Sequence, residues 1–164
     1  MDKNQHRWSL LGGNRQGRRE GLVRDGGGNI LAAFVTPLEA HSTLEAEILA
    51  IHHGIALAKE FRRPMWVESD AEQATKLLTG TEWGPAHIRQ VMARLFILKQ
   101  QHNNRITFIH KEGNKAADFL AKMGLEQASF LCMSTQTAPR MLKAIVRMDA
   151  MGIPNLRLRE DVRE

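Results

Sequence analysis

The run Met65-Trp66-Val67 restricts the fold more than any other segment of the chain. It lies between Arg62-Arg63-Pro64 and Glu68-Ser69-Asp70. It is too short for a helix and lacks polar alternation, so it reads as a central strand covered on both faces. Such a strand needs helices above and below its sheet, and helical patterns flank it on both sides. Ser42-Thr43-Leu44-Glu45 is a capping box that opens a helix running to about Phe61, with Leu44, Ile48, Ile51 and Ile55 forming one apolar stripe. After Asp70 come a short helix from Ala71 to Leu78, broken at Gly80, and a longer one from Pro85 to about His102. The strand Arg105-Ile106-Thr107-Phe108-Ile109 follows, and Asn114 caps a helix from Lys115 to about Gln127.

The first thirty residues are glycine-rich and basic, with two short apolar pieces, Trp8 to Leu11 and Gly21 to Arg24. Asp25-Gly26-Gly27-Gly28-Asn29 then separates Gly21–Arg24 from Ile30–Val35, the pattern of a hairpin. A phosphate-cradling loop is the competing reading. It would need G-x-G-x-x-G after a strand or a Lys-Ser/Thr P-loop, and the sequence has neither. The resulting order, three strands, helix, strand, two helices, strand, helix, calls for an α/β fold with a mixed five-stranded sheet flanked by helices. Residues 128–136 read as irregular, and Thr137-Ala138-Pro139 starts an amphipathic helix carrying Met141, Leu142, Ile145 and Met148. The expected organisation is one domain over 1–127 and a C-terminal extension over 128–164.

Composition narrows the function classes. One thiol, Cys132, cannot form an internal disulfide, and neither a CxxC partner nor an activating base accompanies it. No apolar run approaches the ~20 residues of a membrane span, and the polar N-terminus lacks the apolar stretch of a signal peptide. The expectation is an intracellular protein of nucleus or cytoplasm that is not secreted and does not span a membrane. Lys plus Arg exceed Asp plus Glu by 23 to 18. That mild excess favours a polyanionic partner through counterion release.

Three carboxylates stand where simple packing does not explain them. Glu47 lies three residues after Leu44 and four before Ile51, on the apolar stripe. There it either serves a cation or a reaction, or sits at the stripe's edge with its carboxylate turned to water. Asp70 ends the apolar strand, where α/β sheets collect functional groups, though it would serve equally as an N-cap. Asp118 falls in the first turn of the last core helix, a favourable place for a carboxylate in the helix dipole. Together the three could converge on a magnesium site able to support two-metal phosphodiester cleavage.

These residues, in this order and on these elements, resemble the ribonuclease H fold, and more narrowly the retroelement-derived, reverse-transcriptase-associated ribonuclease H-like domains of plant genomes. The matching stretches are Gly21 to Asp25 with Gly28-Asn29, Leu44 to Ala50, Val67 to Asp70 and Lys111 to Ala121; Pro139 to Arg157 resembles the usual tail. The resemblance implies an endonuclease that cleaves RNA in RNA–DNA hybrids with four carboxylates and Mg²⁺, Mn²⁺ being an alternative metal. By position, Glu47, Asp70 and Asp118 match the second, third and fourth acids. The first, an Asp on the opening strand, is missing: Trp8 or Leu11 stands in its place. The family's histidine position is Phe108 here, with His110 displaced towards the strand's end.

Cleavage is therefore expected to be weakened, and metal binding with it. Arg15, Arg18, Arg19 and Asn114 are the candidate nucleic-acid contacts. Two other readings use the same fold: a non-catalytic nucleic-acid binder, and a protein-interaction module whose partner docks on the methionine-bearing tail. His52 and His53 point about 100° apart on a helix and cannot chelate together. Trp66 reads as core. Trp83, in the loop between Gly80 and Pro85, is the one aromatic positioned to stack an unpaired base.

Overall fold

A computed structural model of the chain describes residues 6–15, 18–25, 27–37, 39–62, 65–69, 71–101, 104–108, 115–125 and 131–151. Strands β1 (His6–Arg15), β2 (Arg18–Arg24) and β3 (Ile30–Pro37) form an antiparallel meander. Helix α1 (Thr43–Ala58) leads to β4 (Met65–Ser69), and α2 (Glu72–Thr79) and α3 (Arg89–Gln101) lead to β5 (Asn104–Phe108). Helix α4 (Lys115–Leu125), strand β6 (Leu131–Ser134) and helix α5 (Arg140–Ala150) complete the order. All six strands share one mixed sheet, ordered β5-β4-β1-β2-β3-β6, in which β1, β4 and β5 run parallel.

The sheet exceeds the expected five strands by one. The sixth, β6, comes from the segment read as irregular, and it pairs antiparallel with β3 from Ala32↔Ser134 to Val35↔Leu131. Four residues, Leu-Cys-Met-Ser, are too few to show a period. Pairing comes from β3 and from the turn that follows β6. There the Thr135 hydroxyl donates to the Ile30 carbonyl at 2.6 Å, and the Thr137 hydroxyl accepts from the Ser134 amide at 2.8 Å.

Strand alternation divides the core into two layers. Val23, Phe34 and Val67 face α1 to α3, packing with Ile48, Ile51, Ile55, Leu78, Met92 and Leu95. Leu22, Ala33 and Val35 face the other way, towards Ala116 and Leu120 of α4 and Leu142 and Val146 of α5. An extra residue in β3, Leu31, separates the pairs Val23↔Ala32 and Arg24↔Ile30, and this bulge turns Ile30 to the second layer. The second layer thus needs residues from beyond 127.

Local chemistry fixes the ends of these elements. The Ser42 hydroxyl accepts from the Glu45 amide at 3.1 Å, while the Glu45 carboxylate reaches past the cap to the His41 amide at 2.7 Å. The α-helix stops at Ala58 and tightens into a 3-10 turn over Lys59–Phe61, closed by Arg62 at φ 50°. The β2–β3 turn is held by Asp25, whose carboxylate accepts from the Gly27 and Asn29 amides and the Asn29 side chain. Gly28 adopts φ +81° there, and a Cβ on it would lie 2.7 Å from the Ala150 Cβ. The Arg24 guanidinium, buried in the sheet, meets Asp149 of α5 at 3.1 Å. No helix among the described residues is long and apolar enough to cross a membrane.

Candidate functional site

Strand direction brings the candidate residues' elements to one end of the sheet. The parallel pairing ends in register at Leu10, Ser69 and Phe108. β3 finishes at the same end, because its last residue, Pro37, pairs with Arg18 at the start of β2. Helix α1 begins six residues after Pro37, and Glu47 occupies its second turn. Helix α4 follows β5 and carries Asp118 in its first turn. Arg15, at the end of β1, pairs with Arg18, and Arg19 comes next, so the three arginines belong to the same end. α1 covers one face of the sheet and α4 the other, so their opening turns can meet only around this edge.

Glu47 is half-buried between the buried Ala46 and Ile48, and it has an interacting partner. It is therefore neither a fully buried charge nor a freely solvated one. Asp70 and Asn114 lie outside the described residues, as does His110, and the side chains of Asp118, Phe108, Arg15, Arg18 and Arg19 are likewise outside them. The capping position of α2 falls to Ala71, which makes no side-chain cap bond; the Ser69 hydroxyl accepts from its amide at 3.1 Å.

Two carboxylates escaped the sequence reading. Glu20 of β2 is 3% exposed and Glu68 of β4 is 4% exposed. Each has a partner, as the cost of burying a carboxylate requires. Glu20 sits directly opposite Leu11 of β1 and opposite Val35 of β3, on the α4 side of the sheet. The signal was available: Glu20 precedes the core residue Leu22 by two, and two residues apart in a strand means one face.

Across its ten residues, β1 carries no carboxylate. Among the described residues no group of three or more His, Cys, Asp or Glu side chains could hold a metal ion. Magnesium demands several hard oxygen ligands in near-octahedral array, and Glu47 alone does not supply them. The described donors do not make a two-metal centre.

Nearby histidines serve packing. His53 lies against Phe34 with ring centroids 4.9 Å apart. Burial holds its imidazole below the usual value, and at His52 burial is joined by the positive charges of Arg94 and His53. Trp83 stands edge-on to Phe96 at 5.0 Å and remains half exposed. Ser42 and His87 are linked at 3.0 Å, tying the start of α1 to the turn before α3.

The sequence matches the reverse transcriptase-like family over residues 9–124. No curated protein sequence matches it. Among solved structures it is similar to ribonuclease H1 from the halophilic archaeon Halobacterium salinarum NRC-1, with a TM-score of 0.66 at 21% identity, covering 76% of this chain and 99% of that one. It is also similar to LC11-RNase H1, isolated from compost by a metagenomic approach. In the complex of that enzyme with an RNA/DNA hybrid the TM-score is 0.63 at 17% identity, covering 71% of this chain and 93% of that one. A foamy viral protease-reverse transcriptase in complex with an RNA/DNA hybrid matches at TM-score 0.57 and 16% identity, over 74% of this chain and 20% of that one. These likenesses establish a ribonuclease H-like fold.

Proposed function

The chain belongs to the reverse transcriptase-like family, and we propose that it binds RNA–DNA hybrids at the carboxyl end of β1, β4 and β5, with cleavage of the RNA strand weakened. The observation that carries this reading is the opening strand. His6–Arg15 runs through the middle of the sheet without an acid, whereas Glu47 belongs to α1 and Asp118 to α4, both of which begin at that end of the sheet, and Asp70 follows β4 in sequence. Three carboxylates are one short of the set the ribonuclease H resemblance implies for Mg²⁺ or Mn²⁺. Hybrid binding is supported by the arginines of the β1–β2 end and by two structural neighbours bound to RNA/DNA hybrids. Arg15, Arg18, Arg19 and Asn114 are the proposed phosphate contacts, and such contacts weaken steeply with salt.

The test measures binding and cleavage of one labelled hybrid. Binding should fall as salt rises, and R18A/R19A should flatten that slope by roughly two phosphate contacts. Cleavage with Mg²⁺ or Mn²⁺ should be at least ~100-fold slower than that of a four-acid ribonuclease H, the scale of losing one charge-stabilising group. Leu11 comes directly after Leu10, whose β4 partner is Ser69, and with Trp8 it is one of the two residues standing where the resemblance calls for the first acid. Leu11→Asp should therefore raise cleavage, and Asp70→Asn should abolish what remains. Cleavage at full family rate, or no affinity for the hybrid, would refute the proposal.

The same acid-free strand favours a second reading, a non-catalytic module on this fold that binds nucleic acid or, through its tail, a protein. Salt-dependent hybrid binding with no cleavage in wild type or in L11D selects it.

A further inference from the structure

Helix α5 uses its two sides differently. Leu142 and Val146 are buried in the second core layer, with Ile145 packed beside them. On the outward side Met141 is 61% exposed, Met148 44% and Met151, just past the helix end, 73%. At about 100° per residue the three methionines and the exposed Ala144 fall within an arc of roughly 80°, opposite the buried side. Arg140 and Arg147, both exposed, border this strip along one rim. The last turn's one acid, Asp149, lies off the strip, against Arg24. The outward face of α5 therefore presents three exposed thioethers beside two arginines that make no ion pair with an acid among the described residues.

We propose that this face is a docking surface for an acidic amphipathic helix of a partner protein. Charge complementarity selects the occupant. Carboxylates on the partner would meet Arg140 and Arg147, and its apolar residues would cover Met141, Met148 and Met151. Methionine adapts to partner side chains without a preformed pocket, which suits a convex helix surface. A second copy of this chain is disfavoured, since face-to-face pairing would set four arginines against one another. Nucleic acid is disfavoured as well, since phosphates gain nothing from three methionines. The proposal rests on the tail-docking reading above and is independent of hybrid cleavage, because the last turns of α5 lie against Gly28 in the β2–β3 turn, at the opposite end of the sheet from Arg15, Arg18 and Pro37.

The experiment titrates the full chain into a fluorescein-labelled Leu/Glu amphipathic peptide of about 18 residues, with leucines at i, i+3, i+4 and i+7 spacing, and into its Leu/Lys counterpart. The acidic peptide should bind at least about tenfold more tightly than the basic one, and M141S/M148S and R140E/R147E should each weaken it about tenfold. These positions are exposed, so circular dichroism should show the variants folded with melting points within about 2 °C of wild type. Equal affinity for the two peptides, or variants that bind as wild type does, would overturn the proposal. So would displacement of the peptide by RNA–DNA hybrid, retention of the chain on anionic vesicles that M141S/M148S abolishes, or a dimer that M141S/M148S dissociates.

Discussion

Leu142→Ala tests whether the segment after residue 127 folds with the sheet or merely lies on it. The Leu142 side chain is fully buried among Leu22, Ala33, Val35 and Leu120. Removing three carbons costs about 2.4 kcal/mol in transfer free energy at ~0.8 kcal/mol each. The unfilled space adds to this, within the ~2–5 kcal/mol range of buried leucine truncations. Because α5 lies at the protein's edge it can settle partly into the gap, so about 3 kcal/mol is the expected loss. For a chain of 164 residues, at ~2–4 °C per kcal/mol, that lowers the melting point by about 6–12 °C. Urea unfolding followed by far-ultraviolet circular dichroism and by tryptophan fluorescence should give one shared transition displaced to lower denaturant with unchanged slope. Met148→Ala, one side round the same helix, should shift it by less than about 0.5 kcal/mol. A loss below about 1 kcal/mol for L142A, or a separate early transition that leaves the tryptophan signal untouched, would show that α5 is not part of the cooperative core.

Two further outcomes follow from local chemistry. Ser42→Ala removes the acceptor of the Glu45 amide and should lower stability by about 1 kcal/mol, read as a melting-point drop of ~2–4 °C; S42D, which keeps an acceptor, should recover most of it, and equal losses in both variants would exclude capping as the cause. Burial holds His52 and His53 below the ordinary imidazole value, so as pH falls the unfolded chain takes up protons before the folded one. Stability should decline as pH drops below about 6.5 and level off beneath the folded-state values; H52Q/H53Q should flatten the melting-point profile between about pH 7.5 and 5, and an unaltered slope would assign it to other groups.

The elements that the sequence disclosed are those whose pattern is long or whose termini are chemically marked. α1 has four turns of stripe and a hydroxyl cap, and β3 has eight residues ahead of a helix signal. β6 was hidden because its pairing is dictated by β3, more than ninety residues earlier, and by threonine hydroxyls in the turn after it. The site was legible in part for the same reason. Periodicity could place Glu47 on a helix face and Asp70 after a strand. Alternation with Leu22 is enough to put Glu20 on a core-facing side of β2, whereas the enclosure of Glu68 was not legible because it depends on β4 lying inside the sheet between β5 and β1. The N-cap alternative for Asp70 missed by one position, since α2 takes Ala71 as its N-cap and the Ser69 hydroxyl accepts from the Ala71 amide.

The position of β6 also bears on solubility. β3 is an eight-residue strand, apolar from Ile30 to Val35. Without a neighbour its amides and carbonyls would form an open ladder able to recruit the same strand from another molecule, the first step towards cross-β aggregation. Β6 occupies that ladder from Ala32 to Val35 and leaves at the margin only four residues, ending in a serine that turns away. A chain ending before Leu131 would lose this guard, and its characteristic failure would be fibrils seeded along β3.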